Sequence, residues 1–215
     1  MMRKAINDYS LYVFDLDGTL YDQPRLRRIM AFRLALYYGL HPYLAGELFV
    51  LQHFRKTKDK WTENASEADI IKKVAEETNT REEKVLQTVR KWIYDAPLTA
   101  LPKTRDDALA SWIEKLRKAG KKVAVLSDYP TEDKLKALGI SVDRQYGPDD
   151  ARIDELKPSP KGLITVMADF GISAEDVLMI GDRMEKDGKC AEAAGADHII
   201  LERKVNRRKP YEDQI

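Results

Sequence analysis

The chain has 215 residues, room for one α/β domain carrying a smaller insertion, and its 37 Lys and Arg against 36 Asp and Glu leave a formal charge of +1. That balance offers no bulk attraction to nucleic acid or an anionic membrane surface, and a single cysteine, Cys190, excludes an intramolecular disulfide and any Cys-x-x-Cys metal site. No basic segment leads into an apolar one at the start and no run of about 18 apolar residues occurs, so the expectation is a soluble, cytoplasmic protein with no membrane partner.

The first predicted strand, Leu11-Tyr12-Val13-Phe14, runs into Asp15-Leu16-Asp17-Gly18-Thr19-Leu20. Packing does not require two carboxylates at the end of an apolar strand, whereas in open α/β sheets that end faces the ligand crevice. Asp15 and Asp17 are therefore candidate site residues. A calcium loop starting at Asp15 fails, because its sixth and twelfth positions, Leu20 and Leu26, are neither glycine nor glutamate.

Helical patterns then cover 25–40, with Pro24 near the start and Ile29, Phe32 and Leu36 on the expected buried face. Further helices are expected at 43–54, at 67–78 after a Ser66 cap, and at 81–94, where Thr80 and Glu83 make a capping box. No strand signal interrupts them. Arg25, Arg27, Arg28 and Arg33 read as a solvated helix face, with a contact to a substrate carboxylate or phosphate as the alternative, His53 and Trp61 as packing or surface groups, and Cys190 as a residue that packs on a helix. From 105 the pattern alternates: helix 105–119, strand 122–126, helix 132–138, a short element at 142–146, helix 161–170, strand 177–180, helix 185–194, strand 198–201. Ser159 and Pro160 read as the cap and first position of the helix at 161–170. Such alternation predicts a Rossmann-like, doubly wound parallel α/β sheet, with residues 1–21 and 99–215 as the core and a helical insert at 22–98. The basic tail at 203–209 reads as a solvated end segment.

Further polar residues fall where predicted strands end: Ser127-Asp128 after 122–126, Lys157 in the loop Leu156-Lys157-Pro158-Ser159-Pro160, and Gly181-Asp182 after 177–180, with Asp187 just beyond. Clustered carboxylates repel, and a metal ion relieves that cost. The stretch from Gly181 to Lys189 is not a P-loop: its glycines are too far apart and Lys189 precedes Cys190 rather than Ser or Thr. No G-x-G-x-x-G follows the first strand, so nucleotide triphosphates and dinucleotides are not expected ligands.

Taken in order, Asp15-Leu16-Asp17-Gly18-Thr19-Leu20, Leu126-Ser127-Asp128, Lys157-Pro158 and Gly181-Asp182 running through Asp187 to Gly195 resemble the haloacid dehalogenase (HAD) superfamily, in its branch with a helical cap inserted after the first motif. The resemblance implies that Asp15 is a nucleophile forming an aspartyl-phosphate and Asp17 a general acid and base. It implies Mg²⁺ held by Asp15, the main-chain carbonyl of Asp17 and Asp182, with Gly18, Ser127, Asp128 and Lys157 around the phosphate and Asp187 orienting Lys157 or a metal-bound water. Asp128 departs from the common asparagine and adds a negative charge, while Arg183 replaces a frequent small hydroxyl residue and is placed to pair with Glu185. The implied activity is Mg²⁺-dependent hydrolysis of a small phosphorylated metabolite. A phosphomutase or phosphotransferase using the same intermediate, or a non-catalytic phosphate-binding module, are the alternatives. A dehalogenase is disfavoured by Asp17, since that chemistry has no alcohol to protonate. Neither the particular phosphomonoester nor the oligomeric state is legible in the sequence.

Overall fold

In the computed structural model, which describes residues 4–60, 66–153 and 155–201, β1 (Leu11–Phe14), β2 (Lys122–Leu126), β3 (Arg144–Tyr146), β4 (Val177–Gly181) and β5 (Asp197–Ile200) form one sheet. All neighbours are parallel, in the order β3-β2-β1-β4-β5. Between β1 and β2 lie α1 (Gln23–Leu40), α2 (Gly46–Lys60), α3 (Glu67–Thr78), α4 (Glu82–Val89), α5 (Ala96–Leu98) and α6 (Asp107–Lys118). Then α7 (Glu132–Leu138) precedes β3, α8 (Lys161–Phe170) precedes β4, and α9 (Lys189–Ala194) precedes β5. The Rossmann-like doubly wound sheet read from the alternation is thus the fold observed. No helix among the described residues is long and apolar enough to cross a membrane.

Because successive strand side chains point to opposite faces, the central strands supply two separate cores. Tyr12, Phe14, Val123, Val125, Leu178 and Ile180 pack with Trp112 of α6 and Leu135 of α7 on one face. Leu11, Val13, Ala124, Leu126 and Met179 pack with Leu163, Val166, Cys190 and Ala191 of α8 and α9 on the other. Trp112 is 1% exposed and meets Tyr12 and Phe14 edge to face, with ring centroids 6.0 and 5.5 Å away. Trp112→Ala is expected to cost about 3–5 kcal/mol, read as a lower urea midpoint at unchanged slope.

Several local expectations shift. The helix predicted over 25–40 begins at Gln23, capped by Asp22, whose Oδ1 accepts from the Arg25 N–H at 3.0 Å. Its buried side chains are Leu26, Met30 and Tyr38, while Phe32 and Leu36, expected inside, are 66% and 54% exposed. The helix carries apolar residues on two sides, and periodicity alone does not say which one meets the core. The Thr80 capping box does not form: α3 ends with Asn79 in the left-handed region, Arg81 takes the N-cap place, and the Thr80 hydroxyl donates to the Thr78 carbonyl. The reciprocal box lies instead at Ser66 and Asp69. The helix expected over 81–94 continues past Val89 as a π-helical segment, Arg90–Asp95, and the one expected from 185 opens as another, Met184–Gly188. Pro160 occupies the N-cap place of α8, with the Ser159 hydroxyl accepting from Lys161 N–H at 3.3 Å. Trp61 and the basic segment 203–209 lie outside the described residues.

Residues 22–98 hold no strand among those described. Val50, Phe54, Ile70, Val74, Val85 and Val89 make a cluster of their own that touches Leu156, whereas Leu26, Met30, Tyr38, Leu51 and Trp92 join the cluster on the sheet face. The two connections to the sheet run side by side: Tyr21 bridges Arg105, and the Asp22 N–H donates to the Thr104 carbonyl at 2.7 Å.

Candidate active site

Phe14 pairs with both Val125 and Ile180, so the residues that follow β1, β2 and β4 emerge together at one edge of the sheet. That edge lies between β1 and β4, where the strand order changes direction, and carries Asp15, Ser127 and Asp182. The Asp15 N–H is tied to the Ile180 carbonyl at 2.8 Å, and Thr19 Oγ1 donates to Asp15 Oδ2 at 3.0 Å.

Lys157 reaches in from its loop, and the peptide bond that joins it to Pro158 is cis. Its Nζ stands 2.5 Å from Asp15 Oδ1, 2.6 Å from Asp187 Oδ1 and 3.3 Å from the Leu126 carbonyl. Asp15, Lys157 and Asp187 are all buried. The other oxygen of Asp187 accepts the main-chain N–H groups of Asp182 and Arg183, each at 3.2 Å, drawing the chain into the π-helical turn that replaces the expected start of a regular helix.

Asp15, Asp182 and Asp187 each offer an oxygen within 4.8 Å of the others. Burial pushes the Asp15 carboxyl well above the usual carboxylate range; Lys157 opposes this, and Asp187, Asp17 and Asp182 reinforce it. Burial alone would lower the Lys157 ammonium, but Asp15, Asp187 and Asp128 hold it well above its ordinary value. One ammonium among these carboxylates leaves excess negative charge on oxygen donors, a donor set that fits a hard divalent cation. Two glycines keep the cluster tight: a Cβ on Gly18 would run into the Asp182 carboxylate, and one on Gly181 into that of Asp187. Gly18 also has φ +102°, a conformation costly for any other residue. Gly18→Ala is therefore expected to displace Asp182 and weaken divalent-cation binding by about tenfold or more, measured by calorimetric titration, alongside a strain cost of order 1–3 kcal/mol.

Asp17 faces a different set of partners. Lys134 Nζ, from the first turn of α7, lies 2.5 Å from Asp17 Oδ1, Ser127 Oγ donates to Oδ2 at 3.1 Å, and the Tyr21 hydroxyl donates to Oδ1. Burial would raise this carboxyl, but Lys134 first, then Tyr21 and Ser127, bring it below its ordinary value. The Asp17 carboxylate thus stands outside the cluster formed by Asp15, Asp182 and Asp187. Asp128 turns to protein donors: its Oδ1 accepts the Lys157 N–H at 2.9 Å and its Oδ2 lies 3.6 Å from Lys186 Nζ. Arg183 pairs with Glu185 at 2.9 Å and with Asp59 of α2 at 3.3 Å. Cys190 is buried in α9, and burial pushes its thiol up to about 12, so it is unreactive packing.

Lys134 and Tyr21 were not singled out by the sequence. A lysine in the first turn of a helix resembles any solvated lysine, and only the β2–α7 connection brings it to Asp17. Arg27, read as a solvated residue, lines the same cleft together with Gln23, Asp59 and Tyr129. Arg33, from the same group, instead ties α1 to the Ala96 carbonyl and the Thr99 hydroxyl, each at 2.8 Å.

Among solved structures, the chain is similar to a 2-haloacid dehalogenase from Pseudomonas syringae pv. Tomato DC3000 at 15% identity and a TM-score of 0.63, covering 94% of this chain and 92% of that one. It is similar to a HAD phosphatase from Thermococcus onnurineus at 21% identity and a TM-score of 0.61, covering 92% and 88%. It is likewise similar to the HAD hydrolase YfnB from Bacillus subtilis, bound to magnesium, at 16% identity and a TM-score of 0.61, covering 93% and 91%. Among curated proteins none matches the sequence. The family model for haloacid dehalogenase-like hydrolases matches residues 9–195, nearly the whole chain including every residue of the acidic cluster, and the chain belongs to that family of enzymes.

Proposed function

We propose that the chain is a Mg²⁺-dependent phosphatase acting on a small phosphorylated metabolite through an aspartyl-phosphate on Asp15. The observation that carries this reading is a buried carboxylate, Asp15, held 2.5 Å from Lys157 at the rim of an acidic cluster fit for a divalent cation. Asp15, Asp182 and the main-chain carbonyl of Asp17 would hold Mg²⁺, whose charge offsets that of the phosphoryl oxygens. Lys157, the Ser127 hydroxyl and the N–H groups around Gly18 take the remaining oxygens. Asp187 and Asp128 position Lys157, the first through its ammonium and the second through its main-chain N–H.

In the first step Asp15 attacks phosphorus, the bond to the leaving oxygen breaks, and that oxygen takes a proton from Asp17. In the second, water attacks the phosphorus of the aspartyl-phosphate, gives its proton to Asp17 and frees the Asp15 carboxylate. Lys134, Tyr21 and Ser127 favour the ionised Asp17 that the second step needs, whereas the first step draws on its protonated form, which those same partners disfavour. Residues 22–98 act as a cap over this chemistry, hinged at the paired connections near Tyr21 and Arg105. The Arg183–Asp59 pair and Lys58, whose Nζ sits 3.8 Å over the Tyr129 ring, would hold it closed.

The test is inorganic phosphate release from a panel of phosphomonoesters with Mg²⁺ and with EDTA. Release that requires the metal is expected; none across the panel with Mg²⁺ present refutes the reading. Product analysis on a sugar phosphate separates hydrolysis from a mutase reaction, free phosphate being the expected product.

A further inference from the structure

Beside the acidic cluster the cleft continues into a half-open chamber walled by Leu26 and Met30 of α1, Trp92, Leu101, Tyr129 and Arg55 of α2. Asp17, Gln23, Arg27, Asp59 and Tyr129 line both this chamber and the pocket that holds Asp15, Lys157 and Asp182. Asp17 therefore marks the join. With the phosphoryl group between Asp15 and Lys157 and the leaving oxygen at Asp17, the rest of the leaving group has the chamber to occupy.

The charges of that chamber are unevenly satisfied. Asp17 is paired with Lys134, and Asp59 with Arg183. The side chains of Arg27 and Arg55 make no hydrogen bond or ion pair among the described residues, and Arg55 feels the charges of Tyr129, Arg27 and Asp59 from beyond ion-pair distance. Both arginines are exposed along the wall of this one chamber, where an anion within reach of both relieves their like charge, and each offers planar, paired donors suited to an oxyanion.

We infer that Arg27 and Arg55 form a clamp for a second anionic group, a carboxylate or a phosphate, on the leaving-group side of the substrate. This rests on the phosphatase reading for the orientation of the substrate. It makes the preferred substrates short phosphomonoesters with two acidic ends, and it gives two of the arginines on the insert a task that composition and helix position conceal.

The experiment compares 2-phosphoglycolate and a short diol bisphosphate with ethyl phosphate, by phosphate release and by calorimetric binding in Mg²⁺, for the unaltered protein, Arg27→Met, Arg55→Met, the double variant and the matching Lys variants. The unaltered protein is expected to favour the doubly acidic ligands. Each Met variant should lower that preference about tenfold or more, through KM rather than kcat, with Lys recovering part of it. Arg28→Met, exposed on the same helix and not part of the chamber wall, serves as the control and should leave the preference as it was. The carboxylate and bisphosphate arms tell which oxyanion the clamp takes. Equal binding of ethyl phosphate and the doubly acidic ligands, or a preference that survives in the double variant, overturns the clamp. No phosphate release from any arm while the binding preference persists overturns the phosphatase reading and leaves the clamp intact.

Discussion

Asp15→Asn is expected to reduce phosphate release by about four orders of magnitude or more, the scale on which removal of a covalent nucleophile acts, while the folded structure persists. The amide keeps the shape of the carboxylate, its single oxygen can still accept from Lys157 Nζ, and its NH2 can donate to the Thr19 hydroxyl that donated to the second carboxylate oxygen, so packing at the end of β1 is preserved. What it loses is the charged oxygen that must bond to phosphorus. Lys157 keeps Asp187 as a partner, which limits the loss of stability. Steady-state release with Mg²⁺, beside a urea unfolding curve, separates the two effects. A variant as active as the unaltered protein would eliminate the aspartyl-phosphate.

Lys157→Met is expected to act on stability and on rate together. Its ammonium is the buried cation between Asp15 and Asp187, and both carboxylates face it within hydrogen-bond distance. Removing it leaves like charges confined together, a change that typically costs about 3–5 kcal/mol. The deficit should be largest in EDTA and shrink on addition of Mg²⁺, since a cation bound by Asp15 and Asp182 replaces part of the missing charge. Phosphate release should fall by about 10²- to 10³-fold even with saturating metal, because a donor to the transferring group is gone. Unfolding midpoints in EDTA and in Mg²⁺ check the first part. A variant as stable as the unaltered protein in EDTA would mean that Lys157 does not neutralise the cluster.

The residues at strand ends were the legible part of this site. Apolar runs fix β1, β2 and β4, and a parallel sheet must bring the ends of adjacent strands together, so Asp15, Ser127 and Asp182 share an edge once the order of strands is known. Lys157 was legible by its company. Residues placed on helices were not. Lys134 and Arg27 look like the many solvated lysines and arginines of the chain, and Arg55 lies on α2 among other basic residues. What separates them is the direction each helix presents to the cleft, a tertiary property. The same limit explains α1, where two apolar stripes compete and packing on the sheet selects Leu26, Met30 and Tyr38 over Phe32 and Leu36. It also explains the caps. Ser66 and Thr80 carry equivalent local signals, and the left-handed turn at Asn79 removes Thr80 from the position its signal requires. The π-helical turn at Met184–Gly188 has no signature of its own, because it arises from Asp187 folding back on the Asp182 and Arg183 N–H groups.

The most direct measurement is a crystal structure grown with Mg²⁺ and beryllium fluoride, which bonds to a carboxylate as a phosphoryl group does. The expected result is a beryllium fluoride adduct on Asp15, its fluorides contacted by Lys157 and Ser127, with the cation bound by Asp15 and Asp182. An unmodified Asp15 with the cation bound elsewhere, in crystals that hold both reagents, would contradict it.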